Sequence, residues 1–162
     1  MRFLGIATMS NRLLQVSVKQ RFLELATFVG TPPFYFLICL LLLPLNQYLL
    51  VVFLVAVAAT EVVCAVIKLV TRTERPTPRK RETLYDEYDA SSFPSAHTAR
   101  IASNMAILVL AYPTVILTVI GIVLVAIVAF SRVALQEHYL VDVIAGAITG
   151  ALVSYFVYDY LI

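Results

Sequence analysis

The run FYFLICLLLLPLNQYLLVVFLVAVAATEVVCAVIKLV, Phe34 to Val70, decides the fold. It is apolar almost throughout, and Pro44, Asn46 and Gln47 are its main breaks. About 20 apolar residues in a helix cross a hydrocarbon layer of ~30 Å, so the run reads as a helical hairpin. Its first arm is short, roughly 12 residues or about 18 Å. That arm must thin the bilayer, continue past Pro44 or sit behind other helices. The second arm, Tyr48 to Val70, is long enough to span.

Working outward, residues Thr71 to Pro94 form the one strongly polar segment, with Arg72, Glu74, Arg75, Arg79, Lys80, Arg81, Glu82, Asp86, Glu87 and Asp89, and with three prolines. This reads as a loop on one membrane face. The chain re-enters at His97 to Ala111, turns at Tyr112-Pro113 and returns through Thr114 to Phe130. After the polar patch Ser131 to His138 it leaves through Tyr139 to Ile162. On the other side of the hairpin, Asn11 to Val29 reads as an amphipathic helix. Leu14, Val18, Phe22, Leu25 and Val29 share one face, Ser10 is placed to cap it, and Gly30, Pro32 and Pro33 stop it. Lys19, Arg21 and Glu24 suit this helix to the membrane interface better than to the interior. The predicted architecture is all-α: an integral membrane bundle of about five transmembrane helices plus that interfacial helix. It forms a single domain over 1–162, with residues 71–96 as the active-site loop.

Composition agrees. The 162 residues are 61% hydrophobic and 14% charged, with a mean hydropathy of +0.91; soluble domains run near half apolar and a quarter charged. A net charge of +2 gives no footprint for nucleic acid. Cys39 and Cys64 lie inside apolar runs and read as packing residues, not a disulfide framework. Phe3 to Met9, broken by Gly5 and followed by polar residues, does not read as a cleavable signal peptide. With five spans, all twelve Lys and Arg fall on one side, which the positive-inside rule makes cytoplasmic.

Three clusters stand where the predicted helices meet that polar face: Lys68 with Arg75-Pro76, then Pro94-Ser95-Ala96-His97, then Ser131-Arg132 with His138 and Asp142. Both histidines of the chain are among them. His138 and Asp142 are four residues apart, so their side chains can meet. A carboxylate on one imidazole nitrogen fixes the tautomer and leaves the other nitrogen as a lone pair fit to attack phosphorus; a surface His–Asp pair without chemistry has the same spacing. Ser95 is placed to cap a helix whose first N–H groups attract an anion, and His97 could then protonate a leaving oxygen. Lys68, Arg75 and Arg132 supply the charge that phosphoryl transfer needs on its equatorial oxygens. Arg79, Lys80 and Arg81 read as cations reaching for lipid headgroups. The acidic residues show no metal-ligand spacing, so the expectation is no metal and no cofactor. Glu61, two turns before Lys68, receives no role.

Order and spacing of these clusters closely resemble the signature of the type 2 phosphatidic acid phosphatase superfamily, the lipid phosphate phosphatases related to vanadium haloperoxidases. The family pattern is Lys-x6-Arg-Pro, Pro-Ser-Gly-His and Ser-Arg-x5-His-x3-Asp. The match runs through Lys68, Arg75, Pro76, Pro94, Ser95, His97, Ser131, Arg132, His138 and Asp142, over roughly Gly30 to Ile162. Ala96 departs from it, adding a methyl where the family usually has glycine. The family also commonly has a further N-terminal span that this reading does not find.

The resemblance implies a metal-independent lipid phosphatase working through a phosphohistidine. His138 would be the nucleophile, Asp142 its orienter and His97 the general acid, with Lys68, Arg75, Ser95, Ala96 and Arg132 as the phosphate cradle. Ser92 to His97 with Thr98-Ala99-Arg100 looks like the isoprenoid diphosphate branch, in which Arg100 would meet a second phosphate. Phosphatidic acid or phosphatidylglycerophosphate phosphatase and lipid phosphotransferase are the alternatives within enzymology; a transporter or lipid-binding protein is the alternative outside it. The partners expected are the lipid phosphate and membrane lipids, and no oligomeric state is read from the chain.

Overall fold

The computed structural model describes residues 20–162. The first part of the predicted interfacial helix, 11–19, lies outside them. Seven helices follow in order: α1 (Gln20–Phe28), then α2 (Pro32–Leu45), α3 (Gln47–Thr71), α4 (Leu84–Ala90), α5 (Ala96–Ala111), α6 (Val115–Ala134) and α7 (Leu140–Leu161). Among the described residues all regular structure is helical.

The hairpin forms as its breakers dictate. Pro44 sits in the last turn of α2, where it leaves the Leu40 carbonyl without its helical partner, and the helix ends one residue later. Asn46 then turns extended and its side chain accepts from Leu49 N, capping α3. Leu42 on α2, Leu49, Val52, Phe53, Ala56 and Val57 on α3 and Ile107 on α5 make one core.

Three helices are long and apolar enough to cross a membrane alone: α3, α6 and α7. The expectation from the sequence is about five spans, so the number that stand alone is smaller. With α1 and α2, which meet at a 43° bend, taken as one broken span, the number becomes four. The helix expected as a further crossing, α5, has 16 residues, about 24 Å at 1.5 Å each. It is short because it runs in the centre of the bundle and not against lipid: Thr98, Ala99, Ile101, Ser103, Asn104 and Ile107 are all buried.

On α1, Leu23 and Ala26 face the protein while Phe22 and Leu25 are exposed. Of the stripe read from the sequence, Phe22 and Leu25 point outward, while Val29 packs against the Ile101, Met105 and Val128 core.

Two boundaries also move. The polar patch at Ser131 does not end α6, which runs on to Ala134; loss of hydropathy ends an apolar run, not a ladder of hydrogen bonds. The 71–94 segment contains α4, started by a capping box: Thr83 Oγ1 accepts from Asp86 N at 3.1 Å and Asp86 Oδ2 accepts from Thr83 N at 2.9 Å.

The tightest contact is between α5 and α7. A Cβ on Gly146 would overlap Ser95 O, and one on Gly150 would overlap Ala99 O. Glycine at both positions of this Gly-xxx-Gly stripe lets the two backbones touch. Deeper in the bundle, Thr60 Oγ1 donates to Ser103 Oγ (3.2 Å), which meets Ser154 Oγ at 2.7 Å, so α3, α5 and α7 share a polar ladder.

Candidate active site

The three clusters meet at one end of the bundle. The C-terminal end of α3, the α4 loop, the start of α5, the end of α6 and the start of α7 all open there. The lock between them is a backbone bond: Ser95 N donates to Asp142 O at 2.9 Å. It joins the chain before α5 to the first turn of α7.

His138 lies in the turn before α7, not on the helix as its spacing with Asp142 first implies. The pair still meets. Asp142 Oδ2 accepts from Tyr139 N at 2.8 Å, which turns its carboxylate back toward the histidine, and it lies 3.6 Å from His138 Nδ1. Nδ1 faces the carboxylate, which leaves Nε2 as the free edge. His138 is 2% exposed. Burial pushes its pKa down to about 4, with Asp142 pulling it up and Arg75, Arg132 and Lys68 pressing it lower. It is neutral at pH 7.

Ser95 occupies the N-cap position of α5 without capping it: its hydroxyl accepts from Thr98 Oγ1 at 3.1 Å. Its backbone N–H is taken by Asp142. The N–H groups available at this helix start therefore belong to Ala96 and the residues after it. Ala96 is the first residue of α5, and its φ is not positive, so alanine in place of glycine carries no backbone strain here. His97 follows in the first turn. The bend between α1 and α2 packs on it closely, a Cβ on Gly30 falling 2.8 Å from His97 O. Thr27 Oγ1, 3.1 Å from Ser131 Oγ, ties α1 to the end of α6.

Lys68, in the last turn of α3, is 2% exposed. Its Nζ donates to Ser91 O and stands 5.5 Å from the Tyr88 ring centroid, a cation–π seat supplied by α4. Burial, and Arg79 nearby, hold the Arg75 guanidinium below its usual range. Arg75 Nη1 donates to Glu137 Oε2 at 2.7 Å, and Arg132 Nη2 lies 3.7 Å from the same oxygen. Among the described residues, Arg75 Nε, Arg132 Nε, Ser91 Oγ and His138 Nδ1 are buried with no hydrogen-bond partner. Two orphaned guanidinium donors beside an imidazole suit an oxyanion.

Lys68, Arg75, Ser95, Ala96, His97, Arg132, His138 and Asp142 are thus gathered at one site. Arg100 is turned elsewhere: its Nε and Nη2 grip the two oxygens of Glu61 on α3, the latter at 3.0 Å. That pair gives Glu61 the partner that its sequence context left open.

Sequence reasoning missed Tyr88, Arg79 and Glu137. Arg79, read as a headgroup cation, instead donates to Asp89 Oδ2 (2.5 Å) and Glu137 Oε2 (2.6 Å). The capping box at Thr83 could have revealed the helix that carries Tyr88. No periodicity links residues 79 and 137.

A sequence profile of the PAP2 superfamily matches residues 49–161. Among solved structures, LpxE of Aquifex aeolicus superposes with a TM-score of 0.75, covering 88% of this chain and 87% of that one at 18% identity. The first transmembrane PAP2 type phosphatidylglycerolphosphate phosphatase from Bacillus subtilis gives a TM-score of 0.70, with 87% and 75% covered at 22% identity. Likeness at these identities is one of fold. Among curated proteins no significant sequence match is found.

Proposed function

The chain belongs to the PAP2 superfamily, and from that premise we propose that it is a membrane-embedded lipid phosphate phosphatase acting through a phosphohistidine without a metal. The observation that carries this reading is the 2.9 Å bond from Ser95 N to Asp142 O. It sets the His97 helix start against the His138–Asp142 pair, with Lys68, Arg75 and Arg132 around both.

In the reaction, the Asp142 carboxylate, 3.6 Å from Nδ1, orients the His138 ring and Nε2 attacks phosphorus. As the N–P bond forms, the bond from phosphorus to the leaving oxygen breaks, and His97 donates a proton to that oxygen. Lys68, Arg75 and Arg132, with N–H groups at the start of α5, hold the equatorial oxygens. Water then attacks the phosphohistidine, His97 takes its proton, the N–P bond breaks and inorganic phosphate leaves.

The whole chain, 1–162, serves as one domain, with 11–29 at the interface and 71–96 carrying the site. The gathering of basic residues at this end supports a cytoplasmic active site. The sequence around Phe93 and Arg100 favours an isoprenoid diphosphate. A second reading, phosphatidic acid or phosphatidylglycerophosphate, is favoured by the Arg100–Glu61 pair, because a second phosphate would find that cation already neutralised.

The test is phosphate release by purified protein in detergent, with a chelator present, across those three lipids. Wild type should turn over at least one of them, and His138→Ala should lose at least about 10³-fold. Undiminished release by His138→Ala, or turnover that appears only when a divalent metal is restored, refutes the mechanism. Added alcohol that captures the phosphoryl group would identify a phosphotransferase instead.

A further inference from the structure

Glu137 stands at the centre of the cationic cluster, one residue before His138. The tight turn after α6 fixes it there: Gln136 adopts φ 57°, Glu137 N donates to Arg132 O at 3.1 Å and His138 N to the same oxygen at 3.3 Å. From this backbone the side chain delivers one oxygen, Oε2, to Arg75 Nη1 (2.7 Å), Arg79 Nη2 (2.6 Å) and Arg132 Nη2 (3.7 Å). Three guanidiniums around one oxygen is what a phosphate oxygen would meet in the same place. Burial works against the carboxylate, yet Arg79, Arg132 and Arg75 hold its pKa below the usual range, so it carries full charge at neutral pH.

The membrane surface gives this arrangement a consequence. Phospholipid headgroups joined by a phosphodiester carry one negative charge at phosphorus, whereas a terminal phosphate carries about −1.5 to −2 at pH 7. A diester entering the cluster would exchange one single charge for another and would lose the tethered geometry of Glu137. A terminal phosphate brings more charge and more acceptor oxygens than the carboxylate it displaces. We propose that Glu137 is a built-in competitor for the phosphate cradle that rejects phosphodiester lipids and yields to a terminal phosphate. Discrimination comes from an element set against the wrong ligand. The inference rests on the reading of Arg75 and Arg132 as phosphate ligands.

Glu137→Gln keeps the side-chain size and removes the charge. Its binding of inorganic phosphate, measured by calorimetry in detergent, should be at least about tenfold tighter than that of wild type. In mixed micelles it should also become inhibited by phosphatidylglycerol at contents that leave wild type unaffected. Equal or weaker phosphate binding by Glu137→Gln would mean that the carboxylate positions the arginines instead, and overturns the proposal; so does a lack of inhibition by the diester. Should Glu137→Gln fail to fold, Glu137→Asp decides: its retracted carboxylate competes less well, so tighter phosphate binding than wild type supports the proposal and equal or weaker binding overturns it. The calorimetric arm needs no turnover. A chain that hydrolyses no lipid phosphate would refute the proposed activity while this binding comparison still reads Glu137.

Discussion

Replacing Gly146 with alanine adds one methyl group and should disable the site from a distance. The new Cβ would overlap Ser95 O and sit 3.3 Å from Ser95 C and 3.4 Å from Ala99 N. Neither side can give locally. Ser95 O accepts from Ala99 N at 3.0 Å inside α5, and Ser95 N is bonded to Asp142 O. To restore an ordinary C···O separation, α7 must retreat from α5 by about 1 Å. Overpacking of this kind costs about 1–3 kcal/mol of stability. The retreat carries Asp142, one turn away, and with it the seat of His138 relative to His97. A misplacement of about 1 Å can cost about 10² in rate.

The control is Gly121→Ala, whose Cβ would meet Met105 Cβ at 3.2 Å, a contact that a few tenths of an ångström relieves, and the mobile Cε of the same side chain at 3.4 Å. Initial rates of lipid phosphate hydrolysis, with thermal unfolding in the same detergent, test both. Gly146→Ala should lose about two orders of magnitude in rate while still unfolding cooperatively, and Gly121→Ala should stay near wild type. A Gly146→Ala enzyme as active as wild type, or equal damage from Gly121→Ala, would refute the claim that the backbone lock aligns the chemistry.

Acid should silence the enzyme only at low pH. Corrected for ionisation of the substrate and read on one whose leaving group needs no proton from His97, kcat/KM should fall as the pH drops through about 4, where His138 gains the proton that blocks its attack. Arg75→Gln removes one of the charges pressing on that histidine, so its acid limb should move to higher pH; a limb that moves lower rules His138 out as the titrating base. His97→Ala should be hurt less on substrates with good leaving groups, which need little protonation, and equal damage across leaving groups would take the acid role from His97.

How much of this was legible in the chain follows from what each feature depends on. The spans and the three clusters depend on local composition and spacing, and the residues at Lys68, His97 and His138 could be read directly. The Thr83–Asp86 capping box and the Gly146–Gly150 stripe are also written locally, inside segments whose polarity and motif spacing carry the stronger signal. The convergence of Arg75, Arg79 and Arg132 on Glu137 was not legible at all. It joins residues about 60 apart through a turn whose geometry only the packed helices define.

The three spans that hydropathy alone picks out point to the same cause. Hydropathy picks out helices rich in apolar side chains, among them α6, whose Val115, Ile116, Ile122 and Phe130 are exposed. The helix that organises the site is the opposite kind. Short α5 buries Thr98, Ser103 and Asn104 and uses them where lipid cannot reach. Inside a bilayer, apolar surfaces gain little by meeting one another, so close backbone approach and hydroxyl pairs must set the spacing of helices. The Thr60–Ser103–Ser154 ladder and the two glycines of α7 do this for α3, α5 and α7. Those three helices carry Lys68, His97 and Asp142, so the interactions that hold the bundle together are also the ones that hold its cradle in register.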